Sequence, residues 1–169
     1  MYLEIKKITK DNFLLYGDLI SIRDKNSEDI NKNTTQSFFD LANIEILGNN
    51  KIPRLNIFKA QKRIFPLCID MLEMHPFSSQ VFLPITKTHF LVLVAPISEK
   101  PDLKKIEYFI VSNEDGINFK PKVWHFPLIS LLDSKFITID KKEAEKNIEI
   151  YKFTKIEKFN LNYERNIKN

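Results

Sequence analysis

The sequence predicts an all-β fold, an antiparallel sandwich or barrel with one short N-terminal helix. Two observations carry this expectation. Eleven short runs rich in Ile, Val, Phe and Tyr recur along the 169 residues, each of strand length. Turn residues stand between them, as at Asn49-Asn50, Glu99-Lys100-Pro101-Asp102 and Glu114-Asp115-Gly116. Short strands at this spacing mark sandwiches and barrels.

The elements follow in order. "LEIKKI" (residues 3–8) reads as a strand, and a helix follows it. Thr9 or Asp11 can cap that helix, "NFLLY" supplies its apolar side, and Gly17 can end it in a left-handed conformation. Ten further strands are expected: "DLISI", "LANIEIL", "RLNIF", "PLCIDMLEM", "QVFLPI", "HFLVLVA", "IEYFIV", "LISLL", "KFITID" and "IEIYKF". The lysine-rich stretch 155–169 reads as a last strand and then a loose tail. Neither a repeat nor a linker divides the chain, so residues 1–169 are expected to form one domain.

Composition narrows the function class. The longest apolar run, Phe90 to Ile97, has eight residues, far short of the ~20 that span a bilayer. No membrane partner is expected, and "MYLEIKKITKDNF" lacks the apolar core of a signal peptide. A single cysteine, Cys68, precludes an internal disulfide and suggests a reducing compartment, the cytoplasm. Its position in a strand reads as a small buried hydrophobe. Net charge is only +4, and 22 of the 26 basic residues are lysine. Nucleic-acid binders cluster cations with arginine prominent, so no nucleic-acid partner is expected.

Candidate chemistry lies in two stretches. In "LCIDMLEMHPFSSQVFLPI" (67–85), strand alternation puts Met71, Glu73 and His75 on one side, with Gln80 across a Pro-Phe-Ser-Ser turn. A carboxylate and an imidazole on an inner face are costly unless paired or used. In "GINFKPKVWHFPL" (116–128), an extended "VWHF" sends Val123 and His125 one way and Trp124 and Phe126 the other, with Lys120 and Lys122 just before. His89 has no acidic or histidine neighbour in sequence and is expected at the surface. Read singly, each stretch fits a solvated pair or a packed core as well as a site. Glu73, His75 and His125 offer three metal ligands, but Asp70 points to the opposite face, no His-x-His is present and residue 77 is Phe.

Together these stretches resemble the ureidoglycolate lyase family of the cupin superfamily. The likeness runs through "FLLYGDLI", "FFDLANIEI", "LNIFKAQKR", "MLEMHPFSSQVFLPI", "KPDLKKIEYFIVSNEDGINFKPKVWHFPL" and "FITID", six blocks in the family's order. The resemblance implies a cupin double-stranded β-helix, a jelly-roll barrel usually found as a homodimer. It implies cleavage of ureidoglycolate to glyoxylate and urea, late in allantoin and purine breakdown. It also implies that no cofactor is needed, a bound divalent metal being compatible but not required. For this chemistry His125 is the candidate base, Glu73 and His75 donate or relay a proton, Lys59 and Lys120 hold the substrate carboxylate, and Gln80 bonds the urea group. The sequence departs from the family at Lys59 and Met74, where arginine is usual, and at Lys120 and Phe126, often histidine; at Phe39 some members carry histidine. A diverged cupin acting on another small carboxylate, as lyase, isomerase or metal-dependent oxygenase, and a non-catalytic small-molecule-binding cupin are the alternatives.

Overall fold

The computed structural model describes residues 3–23, 25–142 and 146–163. The chain begins with β1 (Ile5–Lys7), α1 (Lys10–Phe13), β2 (Gly17–Ile20) and the hairpin β3 (Glu28–Ile30) and β4 (Thr35–Ser37). It continues through β5 (Pro53–Ala60), β6 (Leu67–Ile69), β7 (Met71–Met74), β8 (Gln80–Pro84), β9 (Thr88–Ala95) and β10 (Glu107–Asn113). The last strands are β11 (Gly116–Phe119), β12 (Trp124–His125), β13 (Ile129–Ser130), β14 (Ser134–Lys141), β15 (Glu149–Lys152) and β16 (Phe159–Leu161).

Two sheets face each other in a cupin-like β-sandwich. One runs β1-β10-β9-β12-β7-β15, with β13 beside β9; the other runs β2-β11-β8-β14-β5. The expected all-β class and lone helix are therefore present, while the pairing among the described residues forms a sandwich and no closed barrel. Phe90, Val92, Val94, Phe109 and Val111 of the first sheet meet Phe82, Ile117, Phe119 and Phe136 of the second in one core. The first sheet buries its other face too: Leu91, Leu93, Tyr108, Trp124 and Leu72 pack with Ile69 and Leu161. Burial on both faces explains why "FLVLVA" (90–95) is apolar throughout rather than alternating.

Several expectations need correction. The helix is a single turn, capped by Thr9, whose hydroxyl accepts from Asn12 N–H while the Asn12 side chain accepts from Thr9 N–H. Only Phe13 is buried in it, and Leu14 and Leu15 face solvent. Gly17 does not end this helix but opens β2 against β11, where a Cβ would lie 1.9 Å from the Asn118 carbonyl oxygen. "LANIEIL" forms no strand: its one ladder contact is a bridge from Ile46 to Ser78, because it runs beside the 77–79 turn rather than a straight strand. "PLCIDMLEM" breaks at Asp70 into two strands. Cys68 is exposed rather than buried, because Leu67 and Ile69 on either side take the inward face of β6. The expected last strand is β16, paired with β6. Part of the expected tail, 164–169, lies outside the described residues.

The Gly17 contact makes a prediction. Gly17→Ala forces β2 off β11 and lowers the stability to urea unfolding by about 1–3 kcal/mol or more, the range of overpacked sites; an unchanged midpoint would contradict the close approach.

Candidate active site

Strand pairing builds the site from residues far apart in sequence. On the first sheet, His125 of β12 lies directly across from Glu73 of β7. On the second, Gln80 of β8 lies across from Phe119 of β11. The sheets meet here, since the Phe119 ring stacks on the His125 imidazole at 4.2 Å and 14°. A tight turn, with Val123 N–H bonded to the Lys120 carbonyl and Lys122 at φ +67°, delivers the chain to β12. Lys122 N–H bonds the His75 carbonyl at 2.9 Å, joining this turn to the end of β7.

Both imidazoles are oriented by backbone carbonyls. His75 Nδ1 lies 2.7 Å from the Asn147 carbonyl, and His125 Nδ1 lies 2.9 Å from that of Val123. A carbonyl only accepts, so each Nδ1 carries a proton. Neither Nε2 has a hydrogen-bond partner among the described residues. His125 Nε2 is 3.7 Å from Glu73 Oε1. One donor atom from each of Glu73, His75 and His125 lies within 4.8 Å of the others. The Asn147 side chain holds the neighbouring turn, accepting from Phe77 N–H at 2.9 Å and donating to Ser78 Oγ at 2.8 Å.

The electrostatics follow from burial. His125 is 2% exposed. Desolvation pushes its pKa down to about 3; charge on His75 acts the same way, and the Val123 carbonyl opposes. Desolvation raises the Glu73 carboxyl above its ordinary value, against the lowering pull of His75. The His125–Glu73 contact would be an ion pair only with His125 protonated, and burial holds that ring neutral instead. The unpartnered Nε2 of neutral His125 therefore faces the Glu73 carboxyl, with His75 beside them. A proton on Glu73 would be offered to the His125 Nε2, and a divalent cation would also suit the set, since two imidazoles and a carboxylate are suitable donors.

A cleft of about 740 Å³ opens at the site, with Lys59, Lys62, Arg63, Glu73 and Gln80 among its walls. Gln80 is buried and its Oε1 has no partner among the described residues. The structure thus brings together Glu73, His75 and His125, with Gln80 and Lys59 at the cleft. It places Lys120 elsewhere, with Nζ donating to the Leu14 carbonyl at 2.6 Å, beside α1. His89 is half-buried and lines a different cavity.

Residues 1–160 match the family described as ureidoglycolate lyase. The chain belongs to the ureidoglycolate lyase family. It is 37% identical over 147 residues to the ureidoglycolate lyase of Burkholderia mallei (strain NCTC 10229), spanning 86% of each chain. It is 34% identical over 153 residues to that of Brucella melitensis biotype 2 (strain ATCC 23457), 90% of each. Identity to that of Rhizobium leguminosarum bv. trifolii (strain WSM2304) is also 34% over 153 residues, 90% of this chain and 92% of the relative. Within this family fold, sequence reasoning missed Lys62, Arg63, Phe119 and Asn147. The first two end the "LNIFKAQKR" block and were legible as its continuation. Asn147 was not, because it acts on His75 through a backbone carbonyl.

The buried neutral histidine predicts an acid response. The unfolded chain protonates His125 near 6.5 and the folded one only near 3, so this residue lowers stability as pH falls through that window. The raised Glu73 pKa acts oppositely, but only above its unfolded value of about 4.3. Between pH 4.3 and 3 the EDTA-treated protein should lose about 1.4 kcal/mol per pH unit more than His125→Gln. Parallel unfolding curves for the two would contradict a neutral buried His125.

Proposed function

We propose that this protein is a ureidoglycolate lyase, releasing glyoxylate and urea. The observation that carries the reading is the buried acid–base set of Glu73, His75 and His125 at a cation-lined cleft, in a chain of this family. Ureidoglycolate carries a hydroxyl, a ureido nitrogen and a carboxylate on one carbon. Its cleavage removes the hydroxyl proton, breaks the carbon–nitrogen bond and protonates the departing nitrogen. Neutral His125, with its free Nε2, takes the hydroxyl proton. Protonated Glu73 gives its proton to the urea nitrogen, directly or through His75.

The two transfers assist each other. A proton on His125 is costly beside a neutral carboxyl but favoured beside a carboxylate. As Glu73 loses its proton it becomes the counter-ion His125 needs, and return of that proton resets the site. Lys59, Lys62 and Arg63 supply positive charge for the substrate carboxylate, and Gln80 Oε1 accepts an N–H of the ureido group. With Lys120 bonded to Leu14, the adjacent Lys62 and Arg63 are the better placed partners for Lys59. Glu73, His75 and His125 would also be the residues to hold a divalent cation, which would act as a Lewis acid toward a substrate oxygen.

The wider setting is proposed on the same reading: allantoin and purine breakdown, in the cytoplasm, by a homodimer. A lone exposed thiol suits a reducing compartment. No helix among the described residues is long and apolar enough to cross a membrane. A dimer is supported by the exposed apolar Leu55 on the edge strand β5, 70% exposed. Two-fold pairing is the commonest homo-oligomer.

The test is turnover of racemic ureidoglycolate by EDTA-treated protein, with spontaneous decay subtracted. Glyoxylate and urea should appear in equal amounts, and His125→Ala should cut turnover by about 10²–10⁴, the usual worth of a positioned acid–base group. No release with or without divalent metals, or an unaltered rate in a folded His125→Ala, would sink the assignment.

A further inference from the structure

A second cavity, of about 340 Å³, adjoins the catalytic cleft, the two sharing Lys62 and Arg63 in their walls. We propose that it is a binding site for a small monocarboxylate carrying an apolar body. Its volume falls in the range of small-molecule sites. Phe65, Leu131, Leu132 and Tyr163 make the apolar walls, with the Phe65 and Tyr163 rings 5.7 Å apart. Ile64 stands 83% exposed beside it, an exposure that the packing of the sheets does not require.

The polar part of the lining is Lys62, Arg63, His89 and the Tyr163 phenol, with no carboxylate among the described lining residues. None of the ion pairs among the described residues engages Lys62 or Arg63. Asp133, close by, spends its Oδ1 on the Lys62 backbone N–H at 2.7 Å. A carboxylate would thus meet cations that no ion pair among the described residues engages, while a neutral ligand would leave them unmatched. The walls are held by backbone bonds, Arg63 N–H to the Ser130 carbonyl at 2.9 Å and Leu131 N–H to that of His89 at 3.1 Å. The cavity is therefore built before a ligand arrives, which limits the ordering that binding must impose.

Lys62 and Arg63 line both spaces. A carboxylate in the second cavity draws these cations away from the cleft and weakens binding of the substrate carboxylate. This consequence, unlike the site itself, rests on the lyase reading.

Benzoate titrated calorimetrically into the full chain tests the site. It should bind saturably at one site per chain, Leu132→Glu should weaken it at least tenfold at an unchanged thermal midpoint, and Glu73→Gln in the cleft should leave Kd within twofold. In turnover, benzoate should raise KM for ureidoglycolate and leave kcat unchanged. The site is overturned by an absence of saturable heat, by equal binding to Leu132→Glu, or by loss of binding in Glu73→Gln, which would put the probe in the cleft. A protein without turnover would remove the lyase reading while the titration still decided the site.

Discussion

Two backbone carbonyls fix the chemistry of this molecule. By accepting the Nδ1 protons of His75 and His125, the Asn147 and Val123 carbonyls leave both Nε2 atoms without a partner among the described residues, that of His125 3.7 Å from Glu73 Oε1. Three electron-rich groups in a buried place are repulsive unless something positive lies among them. A proton shared with the raised carboxyl of Glu73 meets that need, and so would a divalent cation. The surroundings serve this constraint. The β12–β7 pairing sets His125 opposite Glu73, Phe119 supports the His125 ring from the other sheet, and the Asn147 side chain secures the turn after His75.

The same constraint separates the site's two tasks. On the proposed reading, the acid–base groups sit where water is scarce, so their protons would pass among themselves and the substrate. Cations sit at the cleft wall, where lysine and arginine keep their charge in contact with solvent. Lysine at position 59 gives up the planar two-point grip that arginine offers a carboxylate. Arg63, four residues on and lining the same cleft, restores a guanidinium to it. Replacing histidine by Phe126 costs the acid–base set nothing, because Phe126 points to the outer core and away from the Glu73 side.

Alternation made the central trio legible in sequence. Glu73 and His75 share a face two residues apart, and His125 faces the interior opposite Trp124, as the period of two requires. The family blocks supplied the order in which these stretches recur. What alternation could not supply was register: nothing in "MLEM" or "VWHF" says that residue 73 pairs with 125. Short-range patterning also misplaced features whose state depends on what packs against them. Cys68 was assigned inward although Leu67 and Ile69 claim that face, Gly17 was given to a helix end although a neighbouring strand needs its missing Cβ, and "LANIEIL" met a turn instead of a partner strand. Lys120 stood in the right motif, but its side chain reaches a carbonyl beside the helix.

The arrangement of protons in the trio is directly measurable by ¹⁵N NMR of histidine-labelled, metal-free protein. At neutral pH, His125 should show a protonated Nδ1 and a bare Nε2, and Glu73→Gln should leave that tautomer in place. A doubly protonated His125, or a neutral His125 with its proton on Nε2, would contradict the account.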